Sequence, residues 1–361
     1  MKHETYAIRS GWDKKTCLVH ARCCMTPDFM IATAQNLDVK GSDLFDGIKM
    51  SKSFDEGRTW TEFVPQEGLK PVTNGGITTV ACDATPFYHK KTGKTLLTGH
   101  LANYAENVNH PVSGTTAAFY SVYDNEKGEF GQIKFVEMPE QYKKTGAGCS
   151  QIHELENGDL LVPICLRKDG EENAYCAVMR CSFDGEILKF VEIGNEMTLP
   201  IQRGLCEPSV VFHKGMYYLT MRNDECAVVA KSADGLHYSD MHIWAYDDGS
   251  LVQSYNTQQH FMIVHDELYL VYTKRDGKND HVFRHRAPLY MAKVENMRLV
   301  RETEKAITPE RGARCGNFGV CAYKDGKSMV MVAEWMQSWN EKLGVCEQYG
   351  SDNSVFVSIV G

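Results

Sequence analysis

One pattern recurs six times along the 361 residues of the chain. It consists of a short apolar segment, a turn, a second apolar segment that ends in polar residues, a third segment, and a turn with glycine. Repeats of short β-strands at intervals of about 60 residues are typical of radial folds, in which each repeat forms one sheet of a ring. Strands of a β-sandwich do not recur in this way, so the pattern predicts an all-β, six-bladed β-propeller that occupies 1–361 as a single domain. The six repeats begin with inner strands at His20, Asp83, Gln151, Glu207, Gln258 and Asn317.

The sixth repeat has only three strands, the last of which is SVFVSIV. A blade with a free sheet edge at the seam of the ring would promote aggregation, so a fourth strand is expected there. The segment TYAIRS, which begins at Thr5, has the composition of a strand and can supply it. We therefore predict that the N-terminal strand closes the last blade.

The segment SFDEGRTW has the spacing S-x-D-x-G-x-x-W. This spacing resembles the Asp-box, the hairpin signature of sialidase-like β-propellers. Its Asp55 is expected to hydrogen-bond the backbone of its own turn, Gly57 to take a positive φ, and Trp60 to cover the blade edge. Partial copies begin at Ser182 and Ser232. These residues shape turns and are not expected to take part in catalysis.

Composition describes a soluble globular protein with a large core, because 43% of residues are hydrophobic and 24% are charged. The net charge of −8 argues against a nucleic-acid partner, which needs clustered Lys and Arg. The N-terminal segment lacks the apolar run of a signal peptide, and no segment predicts a membrane span. The thirteen Cys include no C-x-x-C pair. Reduced thiols and a cytoplasmic location are therefore expected.

Polar residues concentrate in the loops that a propeller would bring to one face. These loops join the outer strand of one blade to the inner strand of the next, or the second strand to the third. Residues at the starts of inner strands lie close together around the axis. A charged side chain buried there is costly unless it is paired or has a functional role. The predicted face contains His20, Arg22, Asp43, Asp83, His100, Tyr104, His110, Gln151, Arg203, Glu207, Arg222, Asn223, Asp224, Asn256, Gln258, His260, Arg275, His281, Arg284, His285, Arg286, Arg311, Arg314, Asn317, Glu334 and Trp335.

Basic side chains on this face suit an anionic substrate, because a guanidinium binds a carboxylate in bidentate geometry. Imidazoles there are candidates for proton transfer near neutral pH. The predicted catalytic residues are His20, His260, His285, Asp83 and Glu207. The predicted substrate-binding residues are Arg22, His100, Gln151, Arg203, Arg222, Gln258, His281, Arg284, Arg286, Arg314 and Asn317.

The segment CEPSVVFHKGMYYLTMRND resembles a blade of sialidases, in which E-P, a Gly turn and then an Arg occur in this order. The resemblance implies that Arg222 binds the carboxylate of a sialic acid and that Glu207 lies beside Arg222. Where sialidases have an R-I-P arginine, this chain has His20, Ala21 and Arg22, and the third arginine of the sialidase triad is not identified. The segments YNTQQH, RHRAPLYMA and ERGARCGNFGV look similar to rhamnosidase and rhamnose-glucuronate lyase propellers, which implies seven blades as an alternative.

No metal or cofactor is predicted. Four cysteines precede the starts of inner strands and could form a ring around the axis. Packing near the axis requires small buried side chains, which explains these cysteines without a metal. No spacing matches a zinc motif. These cysteines are Cys82, Cys149, Cys206 and Cys315.

The leading hypothesis is an enzyme that removes a terminal sugar from an acidic oligosaccharide, with no nucleic-acid or membrane partner. In a β-elimination next to a uronate, Arg222 or Arg286 would neutralise the carboxylate and a His would take the α-proton. In the alternative, an exo-acting hydrolase, Asp83 and Glu207 would serve as acid and base. A non-catalytic glycan-binding propeller is the third possibility, since the fold alone does not define activity.

Overall fold

The computed structural model describes residues 1–361 except 42, 107, 109, 110, 113–116, 143, 340, 341 and 343. Strands of the described residues form six antiparallel sheets, which are the blades of a propeller. The predicted six-bladed all-β fold is confirmed, and the seven-bladed alternative is wrong. No helix in the described part of the chain is long and apolar enough to cross a membrane. Short 3-10 turns occur in the described part of the chain at Glu67–Leu69, Glu140–Tyr142, Phe283–His285, Arg301–Thr303 and Cys346–Tyr349.

The strands of the first three blades follow the chain in order. Blade 1 comprises Thr16–Met25, Met30–Asp38, Phe45–Ser53 and Val64–Pro65. Blade 2 comprises Val72–Asn74, Ile77–His89, Lys94–Ala105, Ala118–Asp124, Glu129–Phe130 and Lys134–Phe135. Blade 3 comprises Thr145–Gly146, His153–Glu154, Leu160–Arg167, Ala174–Phe183 and Leu188–Ile193.

The last three blades continue this order until the final strand. Blade 4 comprises Cys206–His213, Met216–Arg222, Val228–Ser232 and Ser239–Ile243. Blade 5 comprises His260–Val264, Glu267–Tyr272, Tyr290–Glu295, Arg298–Leu299 and Lys305–Ala306. Blade 6 comprises Gly319–Ala322, Ser328–Ala333, Val355–Val360 and His3–Arg9.

The N-terminal strand closes the ring. His3–Arg9 pairs antiparallel with Val355–Val360, in a register that places His3 opposite Val360 and Ala7 opposite Phe356. Two further backbone hydrogen bonds join Lys2 and Gly361, at 2.8 and 3.0 Å. The predicted closure of the last blade is confirmed, and it leaves the final strand of the chain paired on both sides.

The inner strands meet around a central axis. The inner strand of blade 1, Thr16–Met25, contacts those of blades 2 and 6, and the inner strands of blades 4, 5 and 6 contact their neighbours. The apolar clusters lie between adjacent blades: Val162 of blade 3 shares a cluster with Leu96 of blade 2, and Val330 of blade 6 shares one with Val271 of blade 5. Strands buried on both faces explain why the sequence segments are continuously apolar.

The turn after the third strand of blade 1 has the hydrogen bonds expected from its sequence. The Asp55 carboxylate accepts from the Thr59 backbone N–H at 2.8 Å, and Gly57 has a φ of 87°. The Ser53 hydroxyl donates to Asp55 at 2.8 Å and accepts from the Gly57 N–H at 2.7 Å. The Trp60 indole N–H donates to the Gly57 carbonyl at 2.8 Å, so the ring is fixed against the turn.

Candidate functional site

Four blades share one backbone feature close to the axis. His20, Asp83, Cys149 and Glu207 each have a left-handed φ, of 58°, 53°, 59° and 48°. The strand register shifts at three of them, between Val19 and Arg22, Cys82 and Thr85, and Cys206 and Ser209. A left-handed residue with a side chain is strained, and a bulge of this kind turns a side chain away from the regular alternation. The four side chains all line the same pocket as a result.

This pocket has a volume of about 310 Å³ and lies at one end of the axis. Nine of the predicted site residues line it, so distant segments of the chain do converge. These nine are His20, Asp83, His100, Arg203, Glu207, Arg222, Arg284, Arg286 and Asn317. The other lining residues are Asp43, Phe45, Leu101, Ala102, Pro111, Gly146, Gly148, Cys149, Cys165, Arg167, Cys206 and Trp335.

Asp83 is the centre of a buried charge cluster. Its Oδ1 lies 3.3 Å from Nδ1 of His20 and 3.2 Å from Nη2 of Arg22, and its Oδ2 lies 3.9 Å from Nε2 of His100. The Cys149 thiol also donates to Oδ1, at 3.0 Å. Burial raises the pKa of Asp83, but the neighbouring His20, Arg22 and His100 outweigh burial and hold it well below its usual range. Asp83 is therefore ionised at neutral pH.

His20 lies in the wall of the pocket and is only 2% exposed. Burial lowers its pKa to about 4, although the Asp83 carboxylate opposes this change. Its Nδ1 also lies 3.2 Å from Oε1 of Gln35, and its Nε2 is buried without a hydrogen-bond partner. His20 is neutral near pH 7, and its catalytic role stays a prediction.

Glu207 and Arg222 form an ion pair at the pocket wall, on adjacent strands of blade 4. Arg222 also donates to Asn256 and, at 3.4 Å, to Asp224. Burial raises the pKa of Glu207, but Arg222 reverses this and leaves it below its usual value. Burial lowers the pKa of Arg222, but Glu207 reverses this and raises it. The two residues that the sequence placed together are in contact.

Three further arginines near the pocket have no acidic partner. Among the described residues, no carboxylate lies within 4.0 Å of the guanidinium groups of Arg284, Arg286 or Arg314. Burial, followed by repulsion from Arg222, lowers the pKa of both Arg284 and Arg286. Burial lowers the pKa of Arg314 to about 9. An arginine stays charged in a protein, so these shifts indicate buried positive charge that Asp43 and Glu207 offset only in part.

Neutral groups hold these arginines in place. Arg286 donates to Oδ1 of Asn317 at 3.1 Å and to the backbone carbonyl of Asn256. Arg314 donates to Oε1 of Gln337 at 2.7 Å, and its guanidinium lies 3.5 Å from the ring centroid of Trp335, which lines the pocket. Because Asn256 contacts both Arg222 and Arg286, it fixes the two guanidinium groups relative to each other.

Two of the remaining predicted residues lie beneath the pocket. Arg22 is fully buried and joins Asp83 to Gln258, whose Oε1 accepts from it at 3.3 Å. Arg314 lies behind Trp335. Both can orient the wall of the pocket without lining it.

The structure does not bring the other five predicted residues into the pocket, and one of these, Gln258, lies beneath it in contact with Arg22. His260 and Gln151 line a second cavity at the opposite end of the axis, because the inner strand of blade 5 begins only at His260. His281 pairs with Glu310 at 3.0 Å. His285 contacts Tyr255 and lies 3.1 Å from Asp280. His110 of the predicted face lies outside the described residues.

Several residues that line the pocket are not among the predicted site residues. Asp43 and Trp335 belong to the predicted face but were not chosen as site residues, and Arg167 and Phe45 were not recognised. Asp43 has a left-handed φ of 60° in the loop between two strands of blade 1. Its sequence offers one signal, an acidic residue in a loop of the correct face.

No protein-family model matches the chain, and no curated protein matches its sequence. Solved structures match its fold. A protein of unknown function from Dyadobacter fermentans is 13% identical with a TM-score of 0.69, over 99% of this chain and 97% of that one. Trypanosoma rangeli sialidase in complex with sialic acid is 14% identical with a TM-score of 0.63, over 100% of this chain and 59% of that one. A leech intramolecular trans-sialidase is 14% identical with a TM-score of 0.58, over 92% and 68%.

The six blades and these neighbours define the fold as a sialidase-like β-propeller, as the sequence resemblance implied. The chain spans about three fifths of the length of the trypanosomal sialidase.

Proposed function

We propose that the protein is an enzyme that binds the carboxylate of an acidic sugar in an oligosaccharide and cleaves a glycosidic bond next to that sugar, so that a terminal sugar is removed. The arginines without acidic partners carry this proposal. The described lining of the pocket includes five arginines and three carboxylates, and Arg284 and Arg286 have lowered pKa values because of burial and repulsion from Arg222. A bound carboxylate would relieve that repulsion through charge-assisted hydrogen bonds.

The volume and the lining of the pocket fit a single sugar ring. A volume of about 310 Å³ is at the lower end of small-molecule sites. The guanidinium groups of Arg222, Arg284 and Arg286 form the charged side of the pocket. The rings of Phe45 and Trp335 offer an apolar surface for the face of a sugar. This arrangement favours an acidic ring over a neutral one.

For the reaction we favour β-elimination next to a uronate. The arginines would neutralise the carboxylate and thereby acidify the α-proton. His100 is the candidate base, because it lines the pocket with 22% of its side chain exposed and lies 3.9 Å from the Asp83 carboxylate, which would stabilise the imidazolium. The predicted bases His260 and His285 lie elsewhere, and His20 is buried. Asp43 is the candidate to protonate the leaving oxygen.

Hydrolysis is the second candidate, since the pocket also holds three carboxylates and the fold is that of solved sialidases. The pair Asp83 and Glu207 is poorly suited to act as acid and base, because neighbouring cations lower the pKa of both. A protonated acid is required for departure of the leaving group. In a hydrolase that role would fall to Asp43.

Product analysis separates the reactions. The protein is incubated with oligosaccharides in which a terminal sugar is attached to O4 of a uronic acid, and with oligosaccharides that end in a sialic acid, and both absorbance at ~235 nm and new reducing ends are measured. Elimination predicts both signals, whereas hydrolysis predicts reducing ends alone. His100→Ala should abolish turnover, while the control Arg180→Ala, on the outer part of blade 3, should retain it. Binding without turnover of any acidic glycan would indicate a glycan-binding propeller and refute the enzymatic proposal.

A further inference from the structure

Two thiols meet at the seam of the ring. Cys23 lies in the inner strand of blade 1, and Cys321 lies in the inner strand of blade 6. Their Sγ atoms are 3.6 Å apart, although 298 residues separate them in the chain. Both thiols are free. A disulfide has an S–S bond of about 2.05 Å, so a sulfur movement of about 1.5 Å would join them.

The two thiols differ in access. Cys321 is partly exposed and lines the second cavity, of about 390 Å³. This cavity lies at the opposite end of the axis from the arginine pocket, because the inner strands that contain Asp83 and Glu207 in the pocket continue to Tyr88 and Phe212 in the cavity. A small molecule can therefore reach Cys321 without entering the arginine pocket.

Cys23 has no such access. Its side chain is 2% exposed and packs against the Sδ of Met329 at 3.7 Å. The contact with the Cys321 thiol, followed by burial, raises its pKa well above the usual value. Because a thiolate is the attacking species, Cys321 would react first with an external reagent, and Cys23 would follow as the resolving thiol.

The position of the pair gives a bond there a structural consequence. The ring is closed by hydrogen bonds between His3–Arg9 and Val355–Val360, within blade 6. If the N-terminal strand detached, blade 6 would be held to blade 1 only by side-chain packing and hydrogen bonds between the two blades. A bond between Cys23 and Cys321 would instead join the inner strands of the first and last blades directly.

We propose that Cys23 and Cys321 form a disulfide when the protein meets a low-molecular-weight disulfide, and that this bond locks the propeller ring. The Cys321 thiolate attacks one sulfur of the reagent, a mixed disulfide forms, and one reagent thiolate leaves. Cys23 then attacks the Cys321 sulfur, the second reagent thiolate leaves, and the proton of Cys23 passes to that thiolate. The protein dithiol is oxidised and the reagent is reduced to two thiols.

The first test is chemical. The full chain is treated with oxidised glutathione, remaining thiols are blocked, and peptides are mapped by mass spectrometry. We expect one cross-linked peptide pair containing Cys23 and Cys321. Cys23→Ser should stop at a glutathione adduct on Cys321, and Cys321→Ser should give neither product. The control Cys24→Ser, which changes a second cysteine of the cavity wall, should cross-link like the wild type. Absence of the cross-link in the wild type would overturn the proposal.

The second test is structural. Oxidation should raise the Tm of the wild type by about 5 °C, and a dithiol reductant should reverse the change. The Cys321→Ser protein, whose altered side chain is partly exposed, should show no change. Tyr6→Pro removes a backbone N–H from the closing strand, so its Tm should fall in the reduced state and recover on oxidation. A cross-linked protein with an unchanged Tm would refute the role in locking the ring.

Discussion

Replacement of His260 by Gln should make the protein less sensitive to acid. His260 is 2% exposed, its Nδ1 lies 2.7 Å from the Ser209 hydroxyl, and its Nε2 lies 2.9 Å from the side-chain nitrogen of Gln258. Burial, aided by the Arg22 charge, lowers its pKa from 6.5 to about 3. The folded protein therefore keeps this imidazole neutral, while the unfolded chain protonates it below about pH 6.5.

The difference between the folded and the unfolded pKa of His260 sets the direction and the magnitude of the change in stability with pH. The folded pKa is depressed, so the contribution to stability is complete above pH 6.5 and is lost as the pH falls toward 3. At pH 4.5, two pH units below the unfolded value, the loss amounts to about 3 kcal/mol. Glutamine cannot be protonated in this range, so the variant should lose about 3 kcal/mol less than the wild type between pH 7 and pH 4.5.

The measurement is the free energy of unfolding in urea at pH 7, 5.5 and 4.5 for both proteins. Comparison of the slopes removes any constant cost of the substitution itself. His237→Gln, at an exposed turn of blade 4, serves as control and should follow the wild type. The reasoning would be refuted if the His260→Gln protein lost as much stability in acid as the wild type.

Two further substitutions test the cluster around the pocket. Asp83→Asn removes the acidic partner of the fully buried Arg22 and should lower the free energy of unfolding by about 3–5 kcal/mol in urea titrations, whereas Asp248→Asn at the exposed surface should change it little. Gly148→Ala places a methyl group against the His100 ring, so it should displace the ring and reduce turnover; unchanged kcat would argue against His100 as the base.

The fold was accessible from the sequence because it depends on repetition. Each blade buries both faces of its strands, so the apolar segments and their spacing survive as a visible pattern. The unpaired last strand at Val355 required a partner, and the strand-like segment near Thr5 could supply it. Closure of the ring could therefore be predicted from edge pairing alone.

The site was accessible only in part. The predicted inner-strand starts His20, Asp83 and Glu207 do lie in one pocket, whereas His260, which was predicted on the same face two residues after the start at Gln258, lines the second cavity. The difference depends on the backbone: the first three have left-handed φ values that turn their side chains to the pocket. His260 instead continues a regular strand. Such φ values are uncommon for residues other than glycine, and the residue type does not predict where they occur.

The positions of the basic side chains in the loop of blade 5 were also predictable only in part. Arg284 and His285 both have φ values of 55°, within a single 3-10 turn. This conformation sends Arg284 and Arg286 to the pocket and His285 to Tyr255 and Asp280. The sequence shows four basic residues close together, but it does not show how a turn divides them.

The most direct test of the account is calorimetric binding of a free uronic acid and of its methyl ester, which has the same ring without the charge. We expect the wild type and the Arg180→Ala control to bind the charged acid and not the uncharged ester. Arg286→Ala should bind the acid at least ~30-fold more weakly, the equivalent of about 2 kcal/mol. Equal binding of acid and ester, or unchanged affinity in Arg286→Ala, would contradict the claim that the arginines form a carboxylate site.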